Sequence, residues 1–235
     1  IPFGARILEC GCGTGQLSNF LSIANRTVVG TDICLNSLRL GQAFKEHNHL
    51  NRIHFFQMNL FRPIFKPETF DVVICNGVLH HTADPFLGYQ SIARLVKPKG
   101  YILIGLYHTY GRLSNDVRRL FFRLSGDRFQ VLDPLLRKRN LEGVKRRAWF
   151  ADQYKHPHES KHTIEEVIDW FEQTGFSFTN SIPKTRLFAS LDENERVFRP
   201  ARLGSRLERA LSERLRVLVG SPEGGLFIAI GHKQA

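Results

Sequence analysis

The chain of 235 residues carries 33 Lys and Arg against 22 Asp and Glu, a formal net charge of +11, and its length fits one domain or one domain with an insertion. An apolar share of 42% that includes 19 Phe can fill a sizeable core and excludes wholesale disorder, while no apolar run is long enough to span a bilayer. Four Cys with no C-x-x-C pair exclude a disulfide scaffold and point to a reducing, cytoplasmic setting.

Along the chain, short apolar runs alternate with helical patterns, as in a parallel sheet joined by crossover helices. Strands are predicted at Arg6 to Cys10, Thr27 to Thr31, Ile53 to Met58, Val72 to Cys75 and Tyr101 to Leu106. The helix after the fourth strand opens on Asp84 as N-cap with Pro85 behind it, and must end before Pro98 and Gly100. After Leu106 the rhythm breaks. The next clear helix starts at Thr163, where Thr163 and Glu166 form a capping box and Ile164, Val167, Ile168 and Phe171 share one face. Gly175 ends it, and strands follow at Phe176 to Ile182 and Leu226 to Gly231. The expected organisation is a core over 1–106, a basic and mainly helical insertion over 107–162, and a returning core over 163–235 that holds a helical insertion near 184–220.

The charge is uneven. Residues 1–107 hold 10 basic and 6 acidic side chains, residues 112–147 hold 11 against 4, and residues 148–235 hold 12 of each. The +7 segment contains a basic amphipathic helix, with Leu113, Val117, Leu120, Phe121 and Leu124 on one stripe and Arg112, Arg118, Arg119 and Arg123 mainly off it. Two readings stand: a packed stripe under a solvated basic face, or recognition of an anionic substrate or surface. In the later insertion, Ser205 and Glu208 suggest another capping box, and Leu207, Leu211 and Leu215 recur every fourth residue.

The chemistry is concentrated at the end of the first strand, in Glu9-Cys10-Gly11-Cys12-Gly13-Thr14-Gly15-Gln16. Glycines at a strand-to-helix turn let backbone approach a ligand closely, and Asp32 at the end of the second strand is placed to accept two ribose hydroxyls. A dinucleotide site would need G-x-G-x-x-G, but the third position holds Gln16 counted from Gly11 and Ser18 counted from Gly13. No G-K-[ST] loop is present for phosphate. Glu9 suits an ammonium instead, and S-adenosylmethionine combines an ammonium, a ribose and an adenine with no phosphate.

With these residues the sequence resembles the class I S-adenosylmethionine-dependent methyltransferases, close to their type-11-like branch. The resemblance rests on Leu8 to Gly15, Asp32, Phe70-Asp71-Val72-Val73-Ile74-Cys75-Asn76, Val78-Leu79-His80-His81 and Leu95-Val96-Lys97-Pro98-Lys99-Gly100. It implies an α/β, Rossmann-like seven-stranded sheet with the last strand antiparallel and helices on both faces. It also implies that Glu9, Gly11, Gly13, Gly15 and Gln16 surround the methionine part, Asp32 and Ile33 the ribose and adenine, and Asn76 with Gly77 the floor near the sulfonium. Similar enzymes usually have an acid where Met58-Asn59-Leu60 stands, and Asn59 would accept from the adenine amine without charge assistance. They also carry a helix before the first strand, so part of the active-site lid is expected to lie outside this chain.

Of the two histidines at the fourth strand, His81 is the candidate base, with His80 packing or capping. Before Thr163 lies a polar cluster of Asp152, Tyr154, His156, His158, Glu159 and His162. His158-Glu159-Ser160-Lys161-His162 formally matches H-E-x-x-H, but an N-cap at Thr163 leaves both histidines outside the helix, so no metal site is expected. Tyr154, His156 or Glu159 could instead face substrate from a loop over the cofactor, with His156 a second candidate base, or anchor that loop by hydrogen bonds. Cys10, Cys12, Cys34 and Cys75 read as small apolar filling. The expected function is methyl transfer from S-adenosylmethionine to a small-molecule or lipid-linked acceptor, anionic in keeping with the basic insertion, with peripheral membrane contact open. An RNA methyltransferase and a non-catalytic cofactor-binding scaffold are the alternatives.

Overall fold

The computed structural model describes residues 1–130, 133, 136, 143–155, 158–186, 189, 196–219 and 225–235. Its strands are β1 (Arg6–Cys10), β2 (Thr27–Asp32), β3 (Ile53–Gln57), β4 (Phe70–Asn76), β5 (Val96–Tyr107), β6 (Phe176–Ile182) and β7 (Leu226–Lys233). Around them lie α1 (Gln16–Ser22), α2 (Leu35–His47), α3 (Pro85–Ala93), α4 (Leu113–Ser125), α5 (Gly143–Lys155), α6 (Ile164–Gln173) and α7 (Arg206–Val219). One seven-stranded sheet runs in the order β3-β2-β1-β4-β5-β7-β6, with β7 antiparallel to both neighbours. The chain steps outward from β1 to β3 and crosses back to β4, so β1 and β4 flank the point where strand order reverses. A crevice opens there, outside the carboxyl ends of the strands.

Strands buried on both faces explain the unbroken apolar runs of the sequence. Ile7, Val28, Val72 and Ile74 join one core, whereas Leu8, Cys10, Val73 and Cys75, one residue out of phase, join the other. The second core is the larger and takes in Tyr89 and Ile92 of α3 with Val167, Trp170 and Phe171 of α6. β5 is longer than its predicted span because it starts at Val96 and runs through Pro98 and Gly100. The register between β4 and β5 slips between Phe70 and Val72 to admit that stretch.

The predicted caps hold. Asp84 accepts from Leu87 N–H at 2.9 Å, Thr163 from Glu166 N–H at 3.3 Å and Ser205 from Glu208 N–H at 3.2 Å. The Glu166 carboxylate, however, reaches His162 Nδ1 at 2.9 Å.

The two amphipathic helices depart from expectation. α4 buries Asn115 and Phe122, and the Leu113–Leu124 stripe faces away from the fold, with Val117 70% and Leu124 79% exposed. α7 likewise buries Arg209, Ser212 and Glu213 and exposes Leu207, Leu211 and Leu215. The reason is electrostatic. Arg209 pairs with Glu165 of α6, and Glu213 accepts from the Ile164 amide at 2.7 Å and lies 3.1 Å from His108 Nε2, so polar partners decide which face turns inward.

Candidate active site

Gly11, Gly13 and Gly15 all take φ between 54° and 71°, the left-handed region that strains any residue with a Cβ. Thr31 O accepts from both Gly11 N–H (2.7 Å) and Cys12 N–H (2.9 Å), which draws the turn over the end of β2. Phe55 supports it from below: a Cβ at Gly15 would stand 2.5 Å from its ring, and one at Gly30 2.8 Å. A Cβ at Gly13 would meet nothing within 4 Å, so the upper side of the turn is open.

Two depressions meet at Gly11. One, of 340 Å³, is bounded by Asp32, Ile33, Met58, Asn59, Leu60 and Phe61, and continues past Gly77 and Val78 to His81 and Thr82. The other, of 740 Å³ and wider, has Glu9, Gly13, Gln16 and Asn76 along it, with Leu17 and Phe20 at its rim. The structure thus brings together the site residues expected from the sequence, except that Gly15 is buried beneath the turn and His156 lies outside the described residues.

Asp32 already organises the turn: Oδ2 accepts from Gly13 N–H and Oδ1 from Cys34 N–H, both at 2.8 Å, and each oxygen keeps a second lone pair. Asn59 Oδ1 accepts from Phe61 N–H at 3.0 Å in the same fashion. Asn76 is accommodated by its neighbour across the sheet, since a Cβ at Gly105 would sit 1.8 Å from Asn76 Oδ1. Glu9 is only 7% exposed, and burial pushes its carboxyl up to about 6 in spite of the hydrogen bond from Ser18. Ser18 is the partner that sequence reading missed. It stands one turn into α1, where only the fold shows that it lies beneath the end of β1.

His81 lines the far end of the first depression, and its Nδ1 lies 3.1 Å from His158 O. A carbonyl can only accept, so Nδ1 carries the proton in this contact. His80 is buried, with its ring 3.9 Å from that of Tyr107.

The loop before α6 is an anchor. Glu159 takes two hydrogen bonds from the buried Arg112, at 3.1 and 2.7 Å, and Arg112 also bonds Gln153 and lies 3.8 Å above the Tyr107 ring. Tyr154 is buried with its hydroxyl donating to Asp133 at 2.7 Å. Neither Glu159 nor Tyr154 lines the cleft, and of the two readings, substrate contact or loop anchor, these contacts fit the anchor. Cys10, Cys12 and Cys75 are buried as expected, whereas Cys34 is exposed at the start of α2.

In a chain of +11, the two depressions carry two carboxylates, Glu9 and Asp32, and no Lys or Arg among the residues lining them. That donor set suits a cationic nucleoside and not a phosphate-bearing one.

Comparison with known proteins agrees. Residues 8–104 match the methyltransferase domain family. An uncharacterised protein of Synechococcus is 29% identical over 216 residues, which are 80% of this chain and 52% of that protein. A ubiquinone biosynthesis O-methyltransferase of Haemophilus ducreyi is 34% identical over 107 residues, 43% of this chain and 45% of its own length. The chain thus spans about half the length of the curated relatives it matches. The solved structure of a SAM-dependent methyltransferase from Methanosarcina mazei has a TM-score of 0.61 at 17% identity, covering 100% of this chain and 94% of that one. Strand order, cleft chemistry and the matched stretch converge: residues 8–104 match the methyltransferase domain family, the sheet has the fold of the S-adenosylmethionine-dependent methyltransferases, and the lining of the cleft fits S-adenosylmethionine.

Proposed function

We propose that the protein transfers a methyl group from S-adenosylmethionine to a hydroxyl of a small-molecule or lipid-linked acceptor. One observation carries the reading: a single cleft runs from the acceptor groups of Asp32 and Asn59 to His81 and Thr82. The oxygen acceptor draws support from the ubiquinone biosynthesis O-methyltransferases among the relatives, which share the motif-bearing core.

The cofactor supplies an activated methyl on its sulfonium. The chain's own work is to bind, align and exclude water. Glu9 would hold the ammonium, the remaining lone pairs of Asp32 the ribose hydroxyls, and Asn59 the adenine amine between the apolar walls of Ile33 and Leu60. His81 Nε2 would take the acceptor's proton as the nucleophile forms.

Calorimetric titration with S-adenosylhomocysteine tests the first half. Asp32→Ala is expected to weaken binding at least tenfold, about 1.4 kcal/mol. Transfer of labelled methyl groups to a lipid extract tests the second, where His81→Ala is expected to lower kcat about 10²-fold or more with cofactor affinity retained. Absence of binding by the wild-type protein overturns the reading. Binding without transfer favours a scaffold, and label appearing in bulk RNA overturns the acceptor class.

A further inference from the structure

Both insertions leave the sheet at one edge. β5 ends at Tyr107 and β6 at Ile182, and the two strands are parallel, each being antiparallel to β7 between them. The connections they feed meet again where His108 N–H donates to Gly225 O at 2.7 Å. This is also the edge onto which the cofactor cleft opens, since the Gly11 turn and Asn76 lie at the carboxyl ends of β1 and β4.

The helices carried by those insertions have their amphipathicity reversed relative to the fold. In α4 the stripe Leu113, Val117, Leu120, Phe121 and Leu124 runs at i, i+4, i+7, i+8 and i+11, opposite the buried Asn115 and Phe122. Phe129, 48% exposed, extends it, with its ring 6.1 Å from that of Phe121. Arg123 and Arg128 are exposed beside the stripe, and a depression of 390 Å³ next to it is lined by Arg119, Arg123 and Lys155. The acid in that depression, Asp127, is paired with Lys155. In α7, Leu207, Leu211 and Leu215 face out with Arg206 and Arg214 exposed among them. A solvent-facing apolar stripe bordered by cations is the pattern of a helix that lies in a membrane interface, leucines and phenylalanines toward the acyl chains and guanidinium groups at the phosphates. No helix among the described residues is long and apolar enough to cross a bilayer, so the contact would be peripheral.

We propose that α4, supported by α7, docks this protein on an anionic membrane surface through the Leu113–Leu124 stripe and its flanking arginines. The proposal commits to lipid because exposed cations border an exposed apolar stripe. A nucleic acid would use the arginines and leave the stripe idle, and a second copy of the chain would bring the same positive charge against itself. It stands independently of which acceptor is methylated.

The test is co-sedimentation with phosphatidylcholine vesicles, with and without phosphatidylglycerol. Wild-type protein is expected to pellet with the mixed vesicles and far less with phosphatidylcholine alone. Val117→Glu combined with Leu124→Glu, both at exposed positions, is expected to cut that partition at least tenfold while leaving the circular dichroism and S-adenosylhomocysteine affinity unchanged. Arg123→Glu is expected to weaken partition and its salt dependence. Wild-type protein that stays in the supernatant overturns the proposal, as does a double variant that pellets like wild type. So does a dimer, seen by light scattering, that the double variant dissociates in the absence of vesicle binding, or tRNA binding that replaces vesicle binding.

Discussion

Glu9 is where stability and the proposed binding of the cofactor's ammonium oppose one another. Because burial lifts its carboxyl to about 6, the folded state holds a proton that the unfolded chain has already released, and stability falls as pH rises from the ordinary carboxylate range through about 6. The loss is on the order of 2 kcal/mol at neutral pH. The ionised form that costs this stability is the form that attracts an ammonium, so cofactor affinity should change in the opposite direction, falling as pH drops through about 6. Glu9→Gln is expected to be more stable than wild type at neutral pH, and to bind S-adenosylhomocysteine more weakly there and with little pH dependence. Chemical denaturation and calorimetry over a pH series measure both quantities, and an unchanged pH dependence in the variant would refute this assignment. Its place before Gly11 marked it in the sequence as a candidate ligand group. Its burial and its bond to Ser18 were not legible there, since both depend on how α1 settles against β1 and β2.

The segments around α4 and α6 show why the second half of the chain is harder to read than the first. In β1, β2 and β4 the apolar pattern, the glycine turn and Asp32 act within a few residues, so periodicity locates strands to within two residues and points to the cleft. Arg112 looks like one more solvated arginine, and only its meeting with Glu159, 47 residues away, reveals a buried charge. With side chains 1% and 2% exposed, that pair holds the 158–162 loop, whose Ser160 N–H donates to His80 O at 2.8 Å and whose His158 O faces His81. Arg112→Ala removes both short hydrogen bonds to Glu159, leaving it the longer contact with Arg119 at 4.0 Å, and is expected to cost about 3 kcal/mol, read as a lower denaturation midpoint. Arg112→Met together with Glu159→Leu should recover most of that loss. The double substitution failing as badly as the single one would mean that the loop depends on Gln153 and Tyr107 instead. The direction of the α4 stripe has the same origin. A pattern of leucines specifies a face, and the partners of Arg112, Asn115 and Arg209 decide which way it turns.

At the scale of the whole molecule, charge is partitioned by task. The net +11 is concentrated in residues 112–147, while the cofactor cleft is lined by two acids and no Lys or Arg. Exposed charges separated by more than a Debye length, about 10 Å at about 0.1 M salt, are largely screened from each other. Contacts inside the cleft are short and partly buried, whereas attraction of the insertion to a charged surface is long-ranged and solvent-exposed. Raising ionic strength should therefore separate the two properties in one preparation. Partition onto phosphatidylglycerol-containing vesicles is expected to fall at least about tenfold, while the Kd for S-adenosylhomocysteine changes less than about threefold. A parallel decline of both would show that the basic insertion supplies part of the cofactor site's field. Cofactor affinity that holds while vesicle binding disappears would place the +7 segment outside the cofactor chemistry, as the means by which the cleft is brought to its acceptor.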